Sequence, residues 1–342
     1  MADQQTAQQG TPQQAPQPDP RNCILGIDEY FTSGAYTADT QDFTRWSTRR
    51  TGYSNLDNVQ AMYPGLYVLG AISSLGKTTF AHQLADQLAA MGEAVLYFSL
   101  EQSRFELVSK SLSRTSWTLL PNPPIAHYDK LTALEFRKHY PPAQGANMIY
   151  PLIQPTIDAY RASVGDRLHI VEGNFGLTVE DITYYVETYM QQFGRVPVVI
   201  IDYLQIIAPS IINGRIMETK TAIDHTVHSL KCLQRKYNLV VLLISSLNRQ
   251  NYMTPIDYES FKESGGIEYT ADVLWGLQLT AIHDPAFTAK GSTLAAQREV
   301  IRQAKARTPR EIELVCLKNR YGVSSYVCQY NYYPAYDVFE GV

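Results

Sequence analysis

The sequence predicts an α/β fold in which a mostly parallel central sheet is flanked by helices and gains antiparallel strands at its C-terminal end. From about Tyr63 onward, short apolar runs alternate with helix-periodic stretches, the pattern of strands joined by crossover helices. The runs are nearly continuous in apolar residues, as in strands covered on both faces. After Ala271 the text changes to β-rich stretches whose alternation suggests antiparallel strands extending the sheet.

In chain order, the expected strands cover residues 66–69, 94–99, 168–171, 198–201 and 239–245. Between them, residues 78–91, 178–193 and 222–237 carry apolar side chains at three- and four-residue spacing and read as helices. Thr178 is the expected N-cap of the second, with Glu180 and Asp181 favourably placed in its first turn. The C-terminal strands are expected over 273–279, 311–317 and 325–330. Residues 117–160, with Pro121, Pro123, Pro124, Pro141 and Pro142, read as an insertion over the core of one domain spanning 51–342. No internal repeat is evident.

Ahead of that domain lie two different segments. Residues 1–20 are mostly Gln, Pro, Ala and Thr, too poor in apolar bulk to offset the entropy of ordering, and are expected to be a disordered tail. Residues 21–50 carry Phe31, Tyr36, Phe43 and Trp46, enough aromatic surface to dock on the chain's own core or on a neighbouring subunit.

Composition narrows the function classes. Lys and Arg total 29 against 33 Asp and Glu, a net charge of −4, which argues against a broad basic face coating nucleic acid but not against a few cations lining a channel. Cys23, Cys232, Cys316 and Cys328 form neither a CxxC pair nor a zinc spacing, so reduced thiols in a cytoplasmic protein are expected and a structural metal is not. No apolar run approaches the roughly 18 residues of a membrane span, and no targeting signal is read.

The stretch Leu69-Gly70-Ala71-Ile72-Ser73-Ser74-Leu75-Gly76-Lys77-Thr78 follows an expected strand and opens an expected helix, the context of a phosphate-binding loop. Backbone N–H groups from Ser73, Ser74, Leu75 and Gly76 through Thr79, with the helix N-terminus, would cradle phosphates. Lys77 would reach the β and γ phosphates, and the Thr78 hydroxyl would ligate Mg²⁺. The match to the strict pattern is imperfect: its first glycine is Ala71 here, with Gly70 beside it, and a Gly-bearing turn is the plain alternative. The strand 198–201 ends in Asp202, the form needed to hold a Mg²⁺-bound water, although a buried strand can also end in a capping Asp. Glu101 follows the strand 94–99 and is a candidate general base for the attacking water, or else a surface residue opening the next helix.

These and three further motifs, FSLE at 98–101, IDYLQ at 201–205, SSLNR at 245–249, KESGGIEYTAD at 262–272 and KNRYG at 318–322, occur in the order seen in the ATPase domain of DnaB-type replicative helicases. The chain resembles that family over residues 51–330, about four fifths of its length. The resemblance implies a RecA-like P-loop motor that assembles as a homo-oligomeric, hexameric ring, binds ATP with Mg²⁺ between subunits and moves along single-stranded DNA. It assigns Lys77 and Thr78 to the phosphates and Mg²⁺, Asp202 to the metal's outer carboxylate and Glu101 to the catalytic base. Lys318 and Arg320 are similar to the pair that a neighbouring subunit inserts against the γ-phosphate, a task suited to a planar charged fork. Lys262, Glu263 and Gly265 fall where the family touches the DNA backbone, and Arg215 and Lys220, on the loop after Asp202, are second candidates for the channel.

Two departures accompany the resemblance. Where the family's SQLNR motif has a γ-phosphate-sensing Gln, this chain has Ser246, whose shorter side chain cannot span the same gap without a water. The helical collar domain that engages primase in the family is also not seen, and residues 21–50 occupy the place of the linker helix. The expected function is therefore an ATP-dependent, ring-forming DNA helicase or translocase in the replication of a phage, plasmid or other mobile element, with a primase or helicase loader as partner. The alternatives are a RecA-family ATPase of recombination, repair or replication accessory type without unwinding activity, and a nucleotide-binding scaffold that has lost turnover.

Overall fold

The computed structural model describes residues 24–119, 130–139, 151–173, 176–212, 214–248, 253–261, 265–288 and 292–342. The chain divides between Trp46 and Ser47 into two units. Among the described residues the first holds α1 (Ile27–Thr32) and all of α2 (Ala35–Ser47) but its last residue, and neither helix buries a residue. Its rings cluster locally: Phe31 and Tyr36 lie 4.8 Å apart, and Tyr30 meets Tyr36 edge-on at 5.8 Å.

In the second unit, a one-turn helix α3 (Ser54–Asp57) precedes β1 (Gly65–Ala71), α4 (Lys77–Ala90) and β2 (Val95–Ser99). Then come α5 (Arg104–Leu119), α6 (Ala133–His139), α7 (Ile153–Val164), β3 (Leu168–Glu172), α8 (Val179–Phe193) and β4 (Val198–Asp202). A small hairpin of β5 (Ile211–Ile212) and β6 (Arg215–Ile216) leads to α9 (Thr219–Tyr237), β7 (Val240–Ser246), α10 (Gly265–Thr270) and β8 (Val273–Leu279). The remainder is α11 (Pro285–Thr288), α12 (Leu294–Ala306), β9 (Arg310–Asn319), β10 (Val327–Tyr333) and β11 (Val338–Gly341). Among the described residues, nine strands form one sheet in the order β11-β10-β9-β8-β1-β7-β4-β2-β3. Among the described residues, no helix is long and apolar enough to cross a membrane.

The mixed α/β architecture with a mostly parallel sheet is the one expected. β1, β2, β4, β7 and β8 are buried along their lengths except at Ser246, which explains their nearly unbroken apolar runs. Helix α8 begins with a full capping box, in which Thr178 and Asp181 exchange side-chain and backbone hydrogen bonds.

One strand differs in direction from the expectation. Residues 273–279 run parallel to β1, in register from Tyr67 opposite Val273 to Ala71 opposite Leu277, and the antiparallel pairing starts only at β9. The misleading alternation comes from Gly276 and Gln278. A Cβ on Gly276 would lie 2.7 Å from Ile256 Cγ2, so a side chain there is excluded by packing. Gln278 is buried yet satisfied: its amide accepts from Ile256 N at 2.7 Å and donates to Glu313.

Several elements escaped the periodicity argument, α5 and β11 among them. Helix α5 is serine-rich on its buried side, where Ser109 returns its hydroxyl to Phe105 O at 2.6 Å and Ser113 donates to Leu131 O at 2.8 Å, so polar residues hide the apolar spacing. Trp117, the start of the expected insertion, belongs to this helix, and α6 and α7 pack on it around Leu112, Leu131, Phe136 and Ile153. Strand β11 is too short to read from sequence. The Gln83 amide pairs with both backbone groups of Phe339, each at 2.8 Å, and closes that sheet edge from α4.

Gly70 carries the close packing behind the loop that follows β1. A Cβ there would lie 2.3 Å from the Phe261 ring and 2.5 Å from Leu247 Cδ2. Gly70→Val is therefore expected to lose roughly 1–3 kcal/mol through overpacking, read as a lower urea midpoint, whereas an unchanged midpoint would show that Phe261 moves aside freely.

Candidate functional site

The C-terminal ends of β1, β7, β4 and β2 lie side by side, and each delivers one functional group to the same crevice. The loop between β1 and α4 supplies Ser73 to Thr78, β7 ends in Ser246, β4 ends in Asp202, and Glu101 follows β2. At a strand spacing of about 4.8 Å, Glu101 stands roughly 14 Å across the sheet from β1, a gap that a phosphate chain and its water can fill. A cleft of about 450 Å³ is lined by Ser73, Ser74, Lys77, Thr78, Glu101 and Arg310, among others.

Left-handed backbone shapes the loop. Gly76 has φ 84° and caps α4, and a Cβ on it would lie 2.9 Å from the Tyr332 ring. Ser74 is a non-glycine residue at φ 69°, and its carbonyl accepts from Arg310 Nη1 at 3.0 Å, while the Ser73 carbonyl accepts from Lys305 Nζ at 3.3 Å. The loop is thus held from outside by two cations of the α12–β9 junction. Leu75 is fully buried and anchors it from within.

Lys77 opens α4 and aims across the crevice, its ammonium donating to Ser246 Oγ at 2.9 Å and lying 4.9 Å from the Tyr203 ring centre. Ser246 is itself placed by Gln205, whose amide accepts from Ser246 N at 3.1 Å and donates to Ser245 Oγ at 3.0 Å. Asp202 is buried; one carboxylate oxygen accepts from the Tyr97 hydroxyl at 3.0 Å, and the other has no hydrogen-bond partner among the described residues. Burial pushes its carboxyl up, against the opposing pull of the Thr78 and Tyr97 hydroxyls and the Lys77 ammonium. A buried oxygen without a donor, next to a hydroxyl and opposite a lysine, fits a hydrated divalent cation. Glu101 is exposed at the rim of the cleft.

Several lining residues were not found from sequence. Lys110 pairs with Asp337 at 3.5 Å, and the Thr79 hydroxyl donates to the same carboxylate at 3.0 Å. Arg310 lies 5.8 Å from the Tyr332 ring centre. Lys110, Arg310, Tyr332 and Asp337 come from α5, β9, β10 and the β10–β11 turn, far from the loop in sequence and without a local motif.

The basic pair sits elsewhere. In β9, Arg310 marks the end near the phosphate loop, and Lys318 lies eight residues further on, so the two are roughly 27 Å apart at ~3.4 Å per residue. Lys318 Nζ donates to Glu268 O at 2.6 Å, and Arg320 pairs with Asp272 at 3.1 Å. Neither reaches the chain's own cleft. Lys262 and Glu263 lie outside the described residues; Gly265 opens α10, and Arg215 on β6 and Lys220 in the first turn of α9 are both exposed.

The family model for the DnaB-like helicase C terminal domain matches residues 49–125 and 153–340. The unmatched stretch between them falls within the segment read as an insertion. The replicative DNA helicase DnaB of Haemophilus influenzae is 27% identical over 252 residues, covering 70% of this chain and 48% of that protein. The DnaB of Pasteurella multocida is 26% identical over 249 residues, with 70% and 48% covered. The chain spans about half the length of these curated relatives. Among solved structures, an isolated ATPase domain superposes with a TM-score of 0.68 at 18% identity, covering 93% of this chain and 99% of that one. A DnaB-like replicative helicase, described with its interactions with primase, superposes with a TM-score of 0.64 at 18% identity, covering 93% and 67%. At such identity the likeness speaks for the fold.

The state of Asp202 can be tested by pH. A carboxyl with a raised pKa takes up its proton at a higher pH than an ordinary Asp, and a protonated oxygen cannot serve a divalent cation. Affinity for a Mg²⁺-nucleotide is expected to fall on acidification before the ordinary Asp range near ~3.9 is reached, and Asp202→Asn to flatten that dependence. An equilibrium titration with a fluorescent ATP analogue at several pH values measures both.

Proposed function

The chain belongs to the family of DnaB-like helicase C-terminal domains, and from that premise we propose that it is an ATP-hydrolysing motor, a ring-forming DNA helicase or translocase acting on single-stranded DNA in replication in the cytoplasm. The observation that carries this reading is the split of the machinery between the two ends of the sheet. The phosphate-loop residues lie at one end, and the basic pair Lys318 and Arg320 lies at the other, bonded away from the chain's own cleft and so placed to serve another copy of the chain.

The chemistry follows from the residues. The loop N–H groups and Lys77 bind the β and γ phosphates, and Thr78 and Asp202 would hold a Mg²⁺ ion, which would spread the phosphate charge when bound with the nucleotide. Glu101 accepts a proton from water as the water oxygen bonds to the γ-phosphorus; the bond from that phosphorus to the bridging oxygen breaks, and ADP leaves with the electron pair. Arg320, with Lys318, donates to the γ-phosphate oxygens of the adjacent subunit, so turnover depends on assembly into a ring, taken as hexameric. The helical unit of residues 24–46 exposes Ile27, Phe31, Tyr36 and Phe43 and is assigned to docking on the neighbouring subunit. Lys262, Glu263 and Gly265, with Arg215 and Lys220, are assigned to the DNA backbone in the channel. A primase or a helicase loader is the expected further partner.

A second reading is a DNA-dependent ATPase of recombination or replication accessory type without strand separation. Ser246 favours it, because a serine bonded to Lys77 offers less reach toward a γ-phosphate than the family's Gln. Strand displacement on a forked duplex separates the two.

Steady-state ATP hydrolysis by the full chain is expected to rise strongly with single-stranded DNA and to vanish in Lys77→Ala; normal turnover in that variant would remove the loop assignment. Arg320→Ala is expected to bind nucleotide normally while losing about 10³-fold or more in kcat. Mixing Arg320→Ala with Glu101→Gln subunits should restore part of the turnover, and none in verified mixed rings would refute action between subunits.

A further inference from the structure

Asp272, directly before β8, is buried at the sheet end opposite the phosphate cradle, its side chain only 2% exposed. It carries more positive partners than its charge requires. One oxygen accepts from Leu66 N at 2.7 Å and also takes the Lys231 ammonium from α9; the other accepts from Arg320 Nη1 at 3.1 Å. Lys231 is mostly buried at 17% exposure and is further held by Gln234 Oε1 at 2.7 Å. Arg320 differs, with 54% of its side chain exposed. Its backbone N–H donates to Asp272 O at 3.0 Å, so the main chain is anchored while the guanidinium faces solvent. Lys318 is held separately, by the carbonyls of Glu268 and Tyr269 near the end of α10.

A buried carboxylate stripped of its last cation is strongly unfavourable, so a guanidinium that is its sole counter-ion is trapped. Here a second, fixed cation remains if the exposed one departs. We propose that Asp272 is the resting cradle of Arg320, and that Lys231 is a positioning residue which frees Arg320 to reach a neighbouring subunit's phosphate by staying behind as the carboxylate's counter-ion. This rests on the role between subunits given to Arg320 above. It adds a reason why a guanidinium bonded to a buried acid in one chain can be exchanged during turnover.

The test compares the full chain with Lys231→Met, Lys231→Arg, Arg320→Ala and the double variant Lys231→Met/Asp272→Asn. It measures DNA-stimulated kcat and KM, affinity for a fluorescent ATP analogue, and the unfolding midpoint. Lys231→Met is expected to lower kcat tenfold or more, with KM and nucleotide affinity within twofold, because Arg320 becomes the only cation on Asp272. Lys231→Arg should keep kcat, and the double variant should recover it, since a neutral amide does not trap the guanidinium. Wild-type kcat in folded Lys231→Met, or a double variant as slow as Arg320→Ala, would overturn the proposal. Should Lys231→Met fail to fold, the double variant decides by the same criterion. If Arg320→Ala itself turns over normally, the role between subunits fails and the cradle with it; if Arg320→Ala is inactive while Lys231→Met is normal, only the cradle fails.

Discussion

The parallel registration of β1, β7, β4 and β2 is the constraint on which the site depends. Each strand is hydrogen-bonded to its neighbours, as in Gly65 to Ala71 opposite Val240 to Ser246, so none of the four ends can shift without breaking the ladder of the next. Burial on both faces adds a second lock, because a one-residue slip would turn every side chain to the other face. Lys77, Ser246, Asp202 and Glu101 owe their common location to that lattice. Packing behind it reinforces the position: Tyr53 stacks on Phe80 of α4 at 4.5 Å, and Phe80 meets Phe339 edge-on at 5.4 Å.

Three of the buried charged sites among the described residues show different ways of satisfying a charge. Asp202 has one buried oxygen without a hydrogen-bond partner among the described residues, whereas Asp272 is saturated by a backbone amide and two cations. Between α4 and α5, Arg114 joins Asp86 at 2.6 Å and His82 Nδ1 at 2.8 Å. Burial holds the His82 pKa down to about 3, so the imidazole is neutral and accepts the guanidinium's proton donor. The ring of His82 abuts Tyr97 edge-on at 5.4 Å, and Tyr97 in turn holds Asp202. The network that ties two helices together therefore also steadies the Asp202 carboxylate.

What was legible in the sequence was local. The phosphate loop, Asp202 at a strand end and Glu101 after a strand are contiguous patterns, and the parallel strands show as apolar runs. Arg310, Lys110, Tyr332 and Asp337 were not legible, since each meets the loop from a remote part of the chain and belongs to no motif. The direction of β8 was hidden because Gly276 and Gln278 answer to packing against Ile256 and to a buried amide network rather than to strand direction.

By itself, the sequence determined the fold class and the chemical kinds at the site, because side-chain period and residues adjacent along the chain report burial and local backbone shape. Only the tertiary structure decided which strand ends meet, which distant cations hold the loop carbonyls, and that Arg320 rests on Asp272 at the far end of the sheet. The reason is physical: strand order and long-range ion pairs are set by contacts between segments remote in sequence, whose energies depend on three-dimensional proximity and leave no periodic trace in either segment.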